Sequence, residues 1–206
     1  MALGVFLLQY HYNNLYKRYV DSIGVNPAKV DSIEKIPFLP ISFFKTHEVK
    51  TTDFEPEIIF ESSGTTGETT SRHFVKSLSL YKKSFLKAFQ LFYGNAHEWC
   101  ILGLLPGYLE RKNSSLIVMV NDLIKRSYHS SSDFYLYDHR KLYRALLHNE
   151  IKGTSTMLIG VTYALLDFAE KYSLKLEQTI VMETGGMKGK REEITRDEVH
   201  AMLKSK

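Results

Sequence analysis

Short apolar runs alternate with amphipathic stretches over the second half of the chain, and this pattern limits the fold more than any other feature. The apolar runs predict strands at Trp99 to Leu105, Phe134 to Tyr137, Thr156 to Val161 and Thr179 to Glu183. The stretches between them place apolar residues at helical spacing. Strands and helices that alternate in this way form right-handed crossovers and a mostly parallel sheet. We therefore expect an α/β fold in which helices cover the sheet on both faces.

Capping residues set the expected helix boundaries. Ser79 is the predicted N-cap of a helix that Gly94 ends, and Thr195 with Glu198 forms a capping box over a last helix. The other predicted helix starts are Ser114 or Ser115, Asp138 and Thr162.

The N-terminal part carries a different pattern. Apolar residues recur at the spacing of one helix face at Leu8, Tyr12, Leu15, Tyr16 and Tyr19. We expect Gly24 and Pro27 to end this helix, and the prolines in Ile36 to Lys45 to keep that segment extended. The predicted organisation is a single α/β domain over residues 1–206. Residues 1–50 form the helix and the extended segment, and residues 51–206 carry a glycine-rich loop and the βα units.

The glycine-rich loop follows the apolar run Ile58 to Phe60, which predicts the end of a buried strand. The loop consists of Ser62, Ser63, Gly64, Thr65, Thr66 and Gly67. Glycines let backbone N–H groups approach an anion, and hydroxyl groups supply further donors. Arg72, shortly after the loop, would add a fixed positive charge. This composition favours phosphate binding, and a solvated surface loop is the plain alternative.

The Walker pattern GxxxxGK[ST] does not fit this loop because Thr69 stands where its second glycine belongs, and the dinucleotide pattern GxGxxG fails too. The loop instead resembles the Ser-Ser-Gly-Thr-Thr-Gly phosphate loop of adenylate-forming enzymes. Ile36 to Lys45 is similar to the Pro-Phe-Leu-Pro-x-x-x-Phe-Lys segment of acyl-protein synthetases of the LuxE type, and Ser71 to His73 also resembles that family. Weaker similarity at Thr156 to Leu166 and at Glu183 to Gly189 extends the resemblance over most of the chain.

The resemblance implies a fold like part of the large N-terminal domain of adenylate-forming enzymes. It implies a ligase that uses ATP and Mg²⁺ to activate a carboxylic (fatty) acid as an acyl-adenylate, for transfer to a protein thiol. In such an enzyme Ser62 to Gly67 would hold the β- and γ-phosphates and Arg72 would be a cationic clamp. Gly185 and Gly186 would border the adenine and acyl pockets, although they equally fit a plain strand-ending turn. Acyl-reductase or acyl-transferase proteins are the implied partners.

The expected site lies where predicted strands end. The phosphate loop, Pro106-Gly107, Thr162 and Gly185-Gly186 each follow a predicted strand. Ligands of parallel sheets bind beyond the carboxyl ends of the strands. We therefore expect these turns to gather at one edge of a sheet.

Cys100 bears on the acyl acceptor, because the resemblance implies a cysteine that carries the acyl group. Cys100 lies inside an apolar run without a neighbouring cation, so we interpret it as a packing residue. The family's acyl-accepting cysteine lies late in the chain, and we expect this sequence to be the N-terminal portion of a longer enzyme. Two other functions stay open, namely a non-catalytic remnant that binds nucleotide or a partner protein, and an acyl- or aryl-CoA ligase of the phenylacetate type.

Composition excludes several classes of protein. The chain has 206 residues, of which 44% are hydrophobic, and a net charge of +4 that is scattered along the sequence, so we expect no nucleic-acid partner. The apolar run Ala2 to Leu8 is too short to span a bilayer. A single cysteine fits a reducing cytoplasm, and the eight histidines lack the spacing of metal ligands.

Overall fold

The computed structural model describes residues 1–62, 69–106, 113–185, 187, 189–192 and 194–205. The chain packs as two compact units, Met1–Tyr81 and Lys82–Lys206. Each unit has an apolar cluster of its own, with Phe6, Tyr16 and Val20 at the centre of the first. The prediction of an α/β fold is confirmed, since a four-stranded parallel sheet and a separate antiparallel pair of strands accompany the helices. Within the described ranges, no helix has the length and apolar character needed to cross a membrane.

The first unit contains short helices and one pair of strands. Its elements are α1 (Ala2–Tyr12), α2 (Asn14–Ser22), α3 (Phe43–Thr46), β1 (Ile58–Glu61) and β2 (Arg72–Val75), and α4 (Leu78–Tyr93) begins in it. Short 3₁₀ turns lie at Pro27–Lys29 and Ile33–Lys35.

The single N-terminal helix predicted from periodicity is wrong, because the chain forms two helices that are broken at Asn13. The backbone of Asn13 is extended, with φ −107° and ψ 99°, and its side chain accepts a hydrogen bond from the N–H of Tyr16. Asn13 therefore caps α2 and cannot continue α1. The change of axis leaves Leu8 and Tyr12 exposed, whereas Phe6 and Val20 are buried together with Tyr16 of the predicted face.

The proline-containing segment is only partly extended, which corrects the prediction for Ile36 to Lys45. Its last residues form α3, a single helical turn that begins after the second proline. Hydroxyl groups of α2 hold the rest of the segment, because Tyr16 Oη donates to the backbone oxygen of Pro37 at 2.9 Å and Tyr19 Oη donates to that of Phe38 at 3.3 Å.

The strand before the glycine-rich loop does not belong to the parallel sheet, and the expectation that it does is wrong. β1 pairs with β2 in an antiparallel hairpin that forms a sheet of two strands. Phe60 is buried in this hairpin and packs edge-on against Tyr81, with ring centroids 5.0 Å apart. The loop is therefore the connection of a hairpin and not a strand-to-helix crossover.

The second unit is built from βα crossovers. Its elements, after α4, are β3 (Cys100–Leu104), α5 (Ser115–Arg126), β4 (Asp133–Phe134), α6 (His139–Lys152), β5 (Thr156–Gly160), α7 (Thr162–Lys171), β6 (Thr179–Glu183) and α8 (Arg196–Lys204). The strands run parallel in the order β4-β3-β5-β6. Every residue of β3 and of β5 is buried, as the continuous apolar runs predict.

Most of the predicted boundaries in this unit agree with the structure. The predicted strand Thr179 to Glu183 matches β6, and Ser114, Asp138 and Thr195 cap the helices that follow them. β4 is shorter than predicted because Leu136 has a positive φ of 45°, which an extended strand cannot contain.

The helix start predicted at Ser79 is wrong. α4 begins at Leu78, and the side chain of Ser77 accepts a hydrogen bond from the N–H of Leu80 at 3.4 Å.

Candidate functional site

The carboxyl ends of three neighbouring strands meet at one edge of the parallel sheet. In the strand register, Leu104 pairs with Gly160, and Gly160 pairs with Glu183. The residues that follow β3, β5 and β6 therefore emerge side by side. We call the group formed by Gly160, Thr162, Glu183, Thr184 and Gly185 the carboxyl-edge site.

Glu183 is the acceptor at the centre of the carboxyl-edge site. Its Oε1 accepts hydrogen bonds from the hydroxyl group of Thr162 and from the backbone N–H of Gly185, the latter at 2.7 Å. Thr162 is buried and is the first residue of α7, so the carboxylate lies near the positive end of that helix. The second carboxylate oxygen, Oε2, can still accept from a hydroxyl or amino group of a ligand.

Gly160 fixes the backbone of this site. Its carbonyl oxygen accepts two hydrogen bonds from Thr184, one from the N–H at 3.0 Å and one from Oγ1 at 3.2 Å. A Cβ atom at Gly160 would lie 2.7 Å from side-chain atoms of Leu165 and 3.3 Å from the backbone oxygen of Leu104. Only glycine fits without displacement, so a side chain at this position would require Leu165 to shift.

Of the predicted pair Gly185-Gly186, the structure describes only Gly185. Gly185 is exposed, has a φ of +81° and continues the turn that the Glu183 carboxylate closes. A positive φ favours glycine. Gly186 lies outside the described residues.

The described part of the phosphate loop is its base. Ser62 follows β1, and its N–H donates to the backbone oxygen of Ser71 at 3.0 Å, while the N–H of Ser71 donates to Ser62 Oγ at 3.0 Å. These two bonds extend the hairpin by one further pair of residues. The hydroxyl hydrogen of Ser62 is still available to an acceptor at the base of the loop. The predicted site residues Ser63, Gly64, Thr65, Thr66 and Gly67 lie outside the described residues.

Arg72 is half-buried at the start of β2, where the chain returns from the loop. Its guanidinium lies over the ring of Phe74, with Cζ 5.4 Å from the centroid, and Lys50 Nζ lies 5.7 Å from the same ring. Within the described residues, no carboxylate forms an ion pair with Arg72. A guanidinium that is positioned by an aromatic ring keeps its N–H donors for an anion such as phosphate.

His73 does not share this position. It is exposed and stacks on Phe44, with ring centroids 6.3 Å apart and an interplanar angle of 6°. Successive residues of a strand point to opposite faces, so His73 and Arg72 face opposite sides of the hairpin.

Cys100 is fully buried at the start of β3, as its interpretation as a packing residue predicts. Burial raises the pKa of its thiol above the ordinary value, and the hydroxyl of Ser132 donates to its sulfur at 3.7 Å. Such a thiol is a poor nucleophile.

The described donors at the hairpin fit an anionic ligand, whereas the described side chains form no cage for a metal ion. No group of three or more His, Cys, Asp or Glu side chains that could hold a metal ion occurs within the described ranges.

Sequence reasoning missed Glu183 as an acceptor and Gly160 as a positioning residue. Glu183 was assigned to the end of a strand and to the start of a weakly similar segment, without a role of its own, and Gly160 is an ordinary small residue in an apolar run. The signal that could have found them is the register, because it places both residues level with Leu104 at the carboxyl edge.

Comparisons with known proteins do not assign the chain to a family: no protein-family model matches it, and a search of curated proteins found no match.

Proposed function

We propose that this chain takes part in the ATP-dependent activation of a carboxylic acid, as an acyl-adenylate, for transfer to a protein thiol. The observation that carries the proposal is the loop from Ser62 to Gly67, which resembles the phosphate loop of adenylate-forming enzymes, followed by Ser71 to His73, which resembles acyl-protein synthetases of the LuxE type. Two structural features support it. The base of this loop is closed by hydrogen bonds, and Arg72 lies at its exit with its guanidinium against Phe74.

The proposed roles follow the chemistry of the loop. Ser62, Ser63, Gly64, Thr65, Thr66 and Gly67 would contact the β- and γ-phosphates of ATP through N–H and hydroxyl donors. Arg72 would neutralise part of the negative charge that develops on the departing pyrophosphate. Mg²⁺ would bridge the phosphates and offset the remaining charge.

The carboxyl-edge site has a separate proposed role within its own unit. Glu183 offers a carboxylate acceptor for hydroxyl groups, and Gly185 and Gly186 would border a ring or an acyl chain. The acid is ionised at neutral pH, so the protein needs no general base. The contribution of the chain is to align two anions and reduce their repulsion.

Nucleotide binding and adenylation test the proposal separately. We expect calorimetry to detect binding of ATP with Mg²⁺, and we expect ATP–pyrophosphate exchange in the presence of a preferred carboxylic acid. Arg72→Ala should weaken ATP binding about tenfold or more, because one charge-assisted contact is lost, and Arg72→Lys should recover part of it. Thr65→Val and Thr66→Val should weaken ATP binding as well.

Lys29→Ala is the matched control, since Lys29 is an exposed cation of the same unit outside the hairpin. Unchanged ATP affinity in the Arg72 and threonine variants would contradict the proposal. ATP binding without exchange for any acid would favour the nucleotide-binding remnant. Release of a CoA thioester, instead of an acylated protein, would identify the phenylacetate type of ligase.

A further inference from the structure

A cleft lies in the Lys82–Lys206 unit, away from the carboxyl-edge site. Its volume is about 340 Å³, and it is bounded by the end of α4, the 3₁₀ turn Ala96–Glu98 and the end of α5. The turn leads directly into Cys100 at the amino end of β3, whereas the carboxyl-edge site lies at the opposite end of the strands. We call it the amino-edge cleft.

The wall that carries the 3₁₀ turn is held in place by several hydrogen bonds. Asn95 and Glu98 form a capping box around the turn. Trp99, the next residue, donates from Nε1 to the backbone oxygen of Tyr93 at 2.7 Å. A ring nitrogen of His129 lies 3.3 Å from the backbone oxygen of Glu98. Hydrogen bonds within the chain therefore fix this wall of the cleft.

The charge in the cleft has one sign. Lys125 and Arg126, in the last turn of α5, are among its lining residues, and no acidic residue is found among the described lining residues. Asp122, which is not one of the lining residues, accepts a hydrogen bond from Arg126 Nε at 2.6 Å. The two terminal nitrogens of the guanidinium take no part in this bond. Glu98, also outside the lining, is occupied by the N–H and side-chain amide of Asn95, each at 3.2 Å.

Asp122 pairs with Arg126 and not with Lys125, so it neutralises at most one of the two lining cations. Burial works against its ionisation, but hydrogen bonds from Arg126 and Lys82 hold its pKa below the ordinary value. One carboxylate thus serves Arg126 and Lys82, while Lys125 is exposed and forms no ion pair with another described residue.

The rest of the cleft is of mixed character. Leu86 and Ala96 contribute apolar surface to the lining, and Gln90, Asn95 and His97 contribute polar groups. Tyr128 is 85% exposed although its ring lies at a tilt against that of His97, with ring centroids 5.0 Å apart. An exposed aromatic ring beside two cations is a common feature of ligand and partner contacts.

We propose that the amino-edge cleft binds a small amphiphilic anion, with a carboxylate or phosphate group at Lys125 and Arg126 and an apolar body against Leu86 and Tyr128. The two cations favour an anionic group, and the exposed ring of Tyr128 favours a small apolar body beside it. A volume of about 340 Å³ suits a compact molecule better than a peptide segment, since pockets for drug-sized ligands measure roughly 300–1,000 Å³. The inference does not depend on the proposed ligase activity, because it uses a different edge of the sheet.

Trp99 supplies a direct readout, because it is the only tryptophan of the chain and adjoins the wall of the cleft. Titration with phenyl phosphate and with benzoate, followed by tryptophan fluorescence and calorimetry, distinguishes the two anionic groups. We expect at least one of them to bind about tenfold or more tightly than the neutral analogue benzamide, and more tightly than inorganic phosphate, which lacks the apolar body. Affinity should fall as salt is added.

Lys125→Gln should weaken binding about tenfold. Arg126→Lys is a second variant that should remain folded, because it keeps a positive charge near Asp122. Lys152→Ala is the matched control, since Lys152 is an exposed cation in the last turn of another helix. Equal binding of benzamide and the anions would overturn the proposal. Unchanged affinity in Lys125→Gln, or no binding by either method, would overturn it as well.

Discussion

At the scale of single residues, Gly160 illustrates how one position without a side chain shapes the carboxyl-edge site. Its carbonyl oxygen receives both hydrogen bonds of Thr184, and its Cα faces Leu165 and the backbone of Leu104. The Leu165 side chain can move, but the carbonyl of a central strand cannot. A substitution at Gly160 therefore tests the site and the packing together.

We expect Gly160→Ala to lower the free energy of unfolding by about 1–3 kcal/mol, because the added methyl group overpacks a buried strand end. Thermal unfolding followed by circular dichroism measures the change. Gly4→Ala is the control, since a Cβ atom at Gly4 meets nothing within 4 Å and should leave stability equal or slightly higher. Equal melting temperatures for wild type and Gly160→Ala would show that the strand end adapts.

At the scale of elements, one carboxylate ties the end of α6 to the start of β6. Glu150 accepts hydrogen bonds from the N–H groups of Glu177 and Gln178, each at 2.9 Å, and from Thr179 Oγ1 at 2.6 Å. Burial opposes ionisation, but these donors hold the pKa of Glu150 below its ordinary 4.5. The edge strand of the sheet is thus held in place at its first residue.

Glu150→Ala should destabilise the fold by about 1–2 kcal/mol at neutral pH, because several donors lose their acceptor. The folded-state pKa is lowered, so the stabilisation is fully present above pH 4.5 and is lost as the pH falls below that value. Denaturant unfolding at pH 7 and at pH 3 measures the difference between variant and wild type, which should shrink at pH 3.

Glu177→Ala, which removes an exposed ion pair with Lys175 in the same loop, is the matched control and should change stability by no more than about 0.5 kcal/mol. A loss for Glu150→Ala that is the same at both pH values would mean that its ionised carboxylate is not what stabilises the loop.

Element types could be predicted from local pattern, whereas some boundaries could not. The boundaries of β6 and the capping box of Thr195 follow from signals that lie within a few residues of one another. The break at Asn13 does not, because the periodicity of apolar residues runs through it and only the side-chain cap to Tyr16 redirects the chain. The pairing of β1 with β2 was missed for a similar reason, since two four-residue strands carry little alternation to reveal an antiparallel hairpin.

At the scale of the whole molecule, each of the two units has an apolar core of its own. The cluster around Phe6, Tyr16 and Val20 belongs to Met1–Tyr81, and the larger cluster around β3 and β5 belongs to Lys82–Lys206. The sequence alone predicted one domain because no composition change or linker marks a boundary. The candidate site was predictable only in part, since a motif locates the loop but register is needed to locate Glu183.

We expect a fragment of residues 77–206, which keeps the whole of α4, to fold without the rest of the chain. The physical reason is that the buried residues of its main core all come from this fragment. The emission of Trp99 and the far-ultraviolet circular dichroism should match the corresponding features of the full chain, and unfolding should be cooperative. A fragment whose Trp99 emits as it does in denaturant would show that the core needs the N-terminal unit.

The complete burial of β3 and β5 has a consequence for how such a protein can change over evolutionary time. Side chains packed at crystal-like density tolerate few changes of volume, so these strands should accept substitutions rarely and in compensating pairs. Loops at the ends of the strands carry no such restriction. New ligand preferences can therefore arise there by single substitutions while the scaffold is inherited unchanged.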